Sequence, residues 1–343
     1  MPVHITNPLS ESRWEDLVAR HPRSSVFHQK GWMEALLRTY GYEPLVLTSS
    51  PAGEPLQNGV LFCRVSSWLT GKRLVSLPFS DHCDPLFENS EEYDAITSWL
   101  QAERARENLK YVELRPLSAA PLEETGFGSS HQYWLHKLNL NNSLEDIFKH
   151  FHKDSIQRKI RRAEREKLSC DFGRSEQLVQ DFYRLLLITR RRHHLPPQPR
   201  KWFLNLAECM GPKMQILVAR KDGIAVAAML VLSHRTSVVY KYGCSNDKFH
   251  HLGGMPFLFW KLIEQRKAAG MEEIDFGRSD LDQESLITFK NRFGARGQLL
   301  TYYRYPDVKR EEIAEHKAFR RFLSILPDTV LSATGRLLYR HIG

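Results

Sequence analysis

Asp275 and Arg278 flank the pair Phe276-Gly277 at the end of the alternating run Glu273-Ile-Asp-Phe276, which reads as a strand. Strand ends are where an α/β sheet presents polar groups to ligands. There an aspartate can orient or deprotonate an amine, and an arginine can hold a carboxylate or phosphate through two parallel hydrogen bonds. The same two side chains can instead pair with each other as a structural bridge, and the sequence leaves both readings open. Tyr240, Tyr242 and Tyr302 fall on strand-like runs and either offer hydroxyl donors to a substrate or simply pack. Arg158, Arg162 and Arg165 follow i, i+4, i+7 spacing on a helix predicted over 155–168, while Ile156, Ile160 and Ala163 form its apolar face. Three guanidinium groups on one stripe suit phosphates, although a solvated helix face has the same pattern. The cluster Arg190-Arg191-Arg192-His193-His194 ends a second predicted helix, where the macrodipole already favours cations.

Other chemistries lack their residues. There is no Gly-x-Ser-x-Gly elbow and no cysteine within a catalytic signature. Cys63, Cys83, Cys170, Cys209 and Cys244 are odd in number and scattered, which favours reduced thiols over a disulfide framework or a zinc ribbon. The close histidines at 150/152, 193/194 and 250/251 have no partner at metal-ligand spacing, so no metal is expected. The net charge of +9 is concentrated: residues 149–220 hold 17 Lys/Arg against 7 Asp/Glu, a surplus of ten. A positive field over one region suits a phosphate-bearing partner, whether a nucleotide-linked substrate, a CoA ester, a tRNA or an anionic membrane surface. No run reaches the roughly 18 apolar residues of a membrane span and no signal-peptide pattern opens the chain. The expected location is the cytoplasm, with the inner face of the membrane as a peripheral variant.

These residues need a scaffold, and 343 residues at 42% apolar suffice for two hydrophobic cores. Periodicity predicts helices over 11–21 and 29–40, strands over 44–48, 59–65 and 73–78, a helix over 91–107, and strands over 111–114 and 133–140. The second half repeats that order. Helices over 155–168 and 176–192 precede strands over 215–220, 224–233 and 237–242, the first two joined by the turn Lys221-Asp222-Gly223. A Gly253-Gly254 loop, a helix over 256–269 capped by Gly270, and the strand 273–276 follow. The fold class is therefore α/β (α+β), two tandem domains over 1–141 and 142–306, each a mixed, mainly antiparallel sheet flanked by helices. Residues 307–343 form a tail of two amphipathic helices split by Pro327. Its stripes, Phe319/Phe322/Leu323/Leu326 and Leu337/Leu338/Ile342, are expected to pack on the second domain. The nearby Arg320, Arg321, Arg336 and Arg340 also suit attachment to a membrane surface. The pentapeptide Asp-Phe-Gly-Arg-Ser occurs at 171–175 and 275–279, but the flanks do not align, so it reads as coincidence.

The segments Phe27-His-Gln-Lys-Gly-Trp-Met33, Ser76-Leu-Pro-Phe79, Ile160-Arg-Arg-Ala-Glu-Arg165, Tyr240-Lys-Tyr242, Asp275-Phe-Gly-Arg-Ser279 and Phe289-Lys290, with Gly294 and Tyr302, occur in an informative order. Together they resemble the FemAB-like acyltransferases, a GNAT-fold group with members in peptidoglycan-bridge, exopolysaccharide and exosortase-associated systems. The likeness spans roughly residues 10–306. It departs from the group at Ser80-Asp-His-Cys-Asp-Pro85, where a glycine-rich turn is usual, and at His251-Leu-Gly-Gly-Met-Pro256, which lacks the full acyl-CoA pyrophosphate motif.

The resemblance implies two GNAT-like domains and direct N-acyl transfer, in which the acceptor amine is deprotonated, the carbonyl is held close and the oxyanion is stabilised. It implies Lys290 at the reaction centre with Phe289 as the wall beside it; the alternative is a surface lysine on a helix after Glu284. Asp275 is the other catalytic candidate. Arg278, Tyr240, Tyr242, Tyr302 and the arginines at 158, 162 and 165 are substrate-binding candidates. Gly253 and Gly254 would open the helix that holds the donor's pyrophosphate. The donor is expected to be acyl-CoA or aminoacyl-tRNA, and the acceptor an amine on an envelope or polysaccharide precursor. The competing readings are a nucleic-acid-binding protein using the basic helix and a catalytically inactive GNAT scaffold.

Overall fold

The computed structural model describes residues 2–87, 89–117, 125–307 and 339–341. Along the chain the elements are β1 (His4–Thr6), α1 (Ser12–Arg20), α2 (Lys30–Tyr40), β2 (Glu43–Thr48), β3 (Val60–Ser67), β4 (Gly71–Val75), α3 (Ser90–Glu107), β5 (Tyr111–Leu114) and β6 (Gly128–Asn139). Then come α4 (Leu144–His150), a π-helical turn Lys153–Gln157, α5 (Arg158–Arg165), β7 (Ser169–Gly173), α6 (Glu176–Arg192), α7 (Arg200–Met210), β8 (Met214–Lys221), β9 (Ile224–His234) and β10 (Ser237–Ser245). The last are α8 (Gly254–Ala268), β11 (Glu273–Asp280), α9 (Glu284–Asn291) and β12 (Arg296–Tyr305). Two compact units emerge among the described residues: 2–132 with 300–307 and 339–341, and 133–299.

In the first unit the sheet order is β1-β2-β3-β4-β5-β12, antiparallel throughout except for the parallel pair β4/β5. Its core gathers Leu47, Phe62, Leu74, Ile96, Leu100 and Val112. The second unit orders its strands β6-β11-β10-β9-β8-β7, again antiparallel except for one parallel pair, β10/β11. Its core gathers Ile160, Met229, Leu258, Phe259, Leu262 and Phe276. The parallel pair arises the same way in each: a meander of three strands, then a crossover helix, α3 or α8, that returns the chain in the same direction. Two helices also precede each meander, α1/α2 between β1 and β2 and α6/α7 between β7 and β8. The tandem repetition of topology read from the sequence is therefore what the chain builds. The units part within β6 and β12, because β12 follows β11 in the chain but pairs with β5, whereas β6 follows β5 but pairs with β11.

Local sequence explains the boundaries. Ser175 caps α6 by accepting from the Leu178 N–H, so the first Asp-Phe-Gly-Arg-Ser copy ends a strand and starts a helix, while the second lies wholly within β11. Asp222 and Gly223 both have positive φ, 49° and 79°, as a two-residue type I′ hairpin requires. Three expectations change. Strand 273–276 does not stop at Gly277 but continues to Asp280, because Gly277 (φ 70°) makes a bulge instead of an exit. The basic helix begins two residues earlier than expected, at Lys153, as a π turn before α5. The expected tail helices lie outside the described residues apart from Tyr339–His341, and these rest on the first unit, not the second. Tyr42 donates to the Tyr339 carbonyl at 2.6 Å and Arg73 to the His341 carbonyl at 2.7 Å.

Candidate active site

The second unit contains a place where its sheet comes apart. β10 and β11 pair over only three residues, Ser237–Val239 against Glu273–Asp275. Beyond that point β10 stays with β9 and β11 stays with β6. Each strand is irregular at the parting: β10 between Tyr240 and Tyr242, β11 between Asp275 and Arg278. A bulge bends its strand and frees backbone groups from the ladder. Two bulges at the end of a parallel pair therefore open a wedge, walled by Tyr240–Gly243 on one side and Phe276–Arg278 on the other.

The freed peptide groups of Gly277 are taken by side chains. Asp275 Oδ1 accepts from the Gly277 N–H at 2.7 Å, and Lys290 Nζ donates to the Gly277 carbonyl at 2.6 Å. Both side chains are buried, each residue being 2% exposed. The alternative of a surface lysine is thus overturned: α9 turns Lys290 inward, onto the bulge. Behind this clamp lies an aromatic floor. Phe259 stacks on Phe276 at 4.8 Å between centroids, Tyr240 packs on Phe259 at 4.7 Å, and Phe289 reaches Phe259 and Phe293 at 5.9 and 5.2 Å. Burial pushes the Tyr240 phenol above its ordinary range. Its hydroxyl lies so close over Gly243 that any Cβ there would overlap it. Of the expected residues, the fold thus brings together Lys290, Asp275, Phe289 and Tyr240.

Others lie elsewhere or do something else. Arg278, at the far side of the bulge, stacks its guanidinium 4.2 Å from the Tyr133 ring centroid. Tyr242 turns toward α6 and α7, where its hydroxyl accepts from Trp202 Nε1 at 3.1 Å and its ring meets Phe203 at 5.3 Å. Tyr302 belongs to the first unit. It is buried there, donating to the Asp81 carbonyl at 2.5 Å beneath the Arg115 guanidinium. The Ser80–Pro85 stretch that departs from the family pattern is itself buried, with Arg115 donating to the Leu77 carbonyl and the Asp84 carboxylate accepting from the Leu117 N–H.

The basic helix α5 buries Ile160 and Ala163 and leaves its arginines outward. An open depression of ≈ 760 Å³ is lined by Lys153, Asp154, Arg158, Arg161, Glu164 and Arg165. Arg161 lines it in place of the expected Arg162, which lies 4.0 Å from Glu166. Gly253 has φ 78° and a Cβ there would stand 2.6 Å from the Lys159 carbonyl, while one on Gly254 would stand 3.0 Å from Ala227. Both glycines are thus required by the packing of α8 against α5 and β9, and the Gly253 N–H is spent on the His250 carbonyl at 3.2 Å.

Two residues of the centre had no sequence signal. Gly243 is an ordinary strand glycine until Tyr240 lies across it. His136, on β6, is 1% exposed and faces the bulge. Among the described residues no group of three or more His, Cys, Asp or Glu side chains is placed to hold a metal, and no helix is long and apolar enough to cross a membrane.

Residues 150–290 match the family model described as an acetyltransferase (GNAT) domain, which spans the basic helix, the wedge and Lys290. No curated protein sequence matches the chain. Among solved structures, FemX aligns at TM-score 0.71 and 13% identity, over 92% of this chain and 99% of that one. The C-terminal domain of a putative lysylphosphatidylglycerol synthetase from Agrobacterium fabrum aligns at 0.59 and 15%, over 96% and 99%. A tandem GNAT protein from the clavulanic acid biosynthesis pathway aligns at 0.55 and 12%, over 88% and 98%. At these identities the likeness is one of fold, and a tandem fold agrees with the repeated topology. The chain is thus an acyltransferase with a GNAT domain over residues 150–290, in a fold that it shares with FemX.

Proposed function

We propose that the protein transfers an acyl or aminoacyl group directly from a phosphate-bearing donor to an amine on a cell-envelope or polysaccharide precursor. The observation that carries this reading is the buried Lys290 ammonium held on the Gly277 carbonyl at the parting of β10 and β11. An ammonium has three donors. In a water-poor site a donor aimed at the oxyanion or the leaving group stabilises the transition state far more than in bulk water. Asp275 fixes the bulge that offers Gly277, and its carboxylate suits the proton that an incoming amine would lose. The arginines 158, 161 and 165 suit the phosphates of either acyl-CoA or an aminoacyl-tRNA. Structural likeness to a putative lysylphosphatidylglycerol synthetase supports the aminoacyl donor; the acetyltransferase family model supports the CoA ester. The location that fits an envelope acceptor is the cytoplasm, at the inner face of the membrane.

The test is a thermal-shift titration with acetyl-CoA, a long-chain acyl-CoA and aminoacyl-tRNA, since a ligand at about 100 times its Kd stabilises by roughly 2.7 kcal/mol. A shift with a CoA ester identifies the donor as such, and a shift with aminoacyl-tRNA alone assigns the basic helix to RNA. With the donor known, Lys290→Met should retain the shift and lose about 10²–10³ in kcat. Full turnover in that variant would reduce Lys290 to a structural clamp, and no shift with any donor would favour an inactive scaffold.

A further inference from the structure

His136 is the single residue of β6 that faces the two bulged residues of β11, since Lys137 pairs with Asp275 and Leu135 with Arg278. It is 1% exposed, and its Nδ1 has no hydrogen-bond partner. A buried polar atom without a partner is rare in folded proteins and costs stability. Here it occurs beside the Lys290–Gly277–Asp275 clamp. The ring is seated deliberately: Gly297 presents its bare Cα to it, and a Cβ there would stand 3.1 Å from Nε2. The side chain of Asn291, which follows Lys290 on α9, acts on the imidazole and raises its affinity for a proton.

We propose that His136 is a positioning residue of the acyl-transfer centre: an imidazole kept uncharged beside Lys290, so that the clamp on Gly277 carries one cation and not two. The proposal rests on the acyltransferase reading of this site and adds a residue to it. The titratable groups acting on the ring are Lys290 from α9 and Asp275 from β11. Burial, first, and then the Lys290 charge lower its affinity for a proton, outweighing the opposite pull of Asn291 and Asp275. Protonating His136 would set a second buried cation against Lys290, with only Asp275 to compensate, and would loosen Lys290 from the Gly277 carbonyl. The site should therefore fail at acid pH through His136.

Selective 15N-histidine labelling of the full chain, with H136Q to assign the resonance, tests this without any substrate. The expected result is that His136 stays neutral below the ordinary histidine range, that K290M shifts its midpoint upward, and that D275N shifts it downward. A midpoint at the ordinary value, or one indifferent to K290M, overturns the proposal. Where the thermal-shift titration has identified a donor, the pH profile of kcat adds a second reading. H136Q should keep KM for the donor, lower kcat and lose the acid limb; an unchanged acid limb also overturns the proposal. If no donor is turned over, the acyltransferase reading fails while the histidine titration still decides the role of His136.

Discussion

Replacing Glu113 by Gln should destabilise the first unit by about 3 kcal/mol at neutral pH, and by progressively less as the pH falls. Glu113 lies on β5, 2% exposed. Its Oε1 accepts from Arg115 Nε at 2.8 Å and lies 2.7 Å from Nη2; its Oε2 accepts from Arg304 Nε at 2.7 Å. Each arginine is further held by an aromatic face, Arg304 over Tyr111 at 4.1 Å and Arg115 over Tyr302 at 5.0 Å. Burial alone would push this carboxyl up, but Arg115 and Arg304 overcome it and hold the group at about 2, from an ordinary 4.5. At 1.36 kcal/mol per unit, that depression corresponds to roughly 3 kcal/mol of stability. The figure agrees with the ~3–5 kcal/mol cost of breaking a buried pair by removing one partner, because the glutamine leaves two arginines with no carboxylate between them. The sign follows from the direction: a depressed carboxylate stabilises fully above its unfolded value of 4.5 and ceases to as the pH falls toward 2. Urea unfolding of wild type and E113Q, followed by amide exchange in β5 and β12, measures the gap at pH 7 and at pH 3. A gap below about 1 kcal/mol at pH 7, or one that does not narrow on acidification, would refute the electrostatic account.

Gly243→Ala should cost the second unit about 1–3 kcal/mol, as overpacking does, and impair turnover, because the Tyr240 ring it displaces is seated on Phe259 and Phe276. Wild-type stability and activity in G243A would show that the ring has room to move. His234 is held down to about 4, by burial first and then by Lys213 and Arg235. Its unfolded form therefore takes up a proton first, and stability should decline as the pH falls from 6.5 toward 4. H234Q should flatten that decline in pH-dependent melting curves, and an identical slope would exclude His234 as its source.

The sequence by itself determined the repeated order of helices and strands, because each element carries its own periodicity and punctuation. Trp14, Leu17 and Val18 face one way on α1, Asp222-Gly223 dictates a tight hairpin, and Gly270 follows α8 in the left-handed conformation. It also marked Asp275, Tyr240, Phe289 and Lys290, through motif order. What it missed is non-local. That Lys290 is buried follows from the bulge at Gly277, and a bulge is set by how β11 registers against β6, which nothing in either strand announces. His136 is one histidine in an alternating strand until that same register places it opposite the bulge. Tyr302 looked like Tyr240 and Tyr242 in type and setting, yet the pairing of β12 with β5 carried it into the other unit. Periodicity is written into each segment, whereas strand partners, bulges and burial are chosen only when distant segments compete for the same hydrogen bonds and the same core.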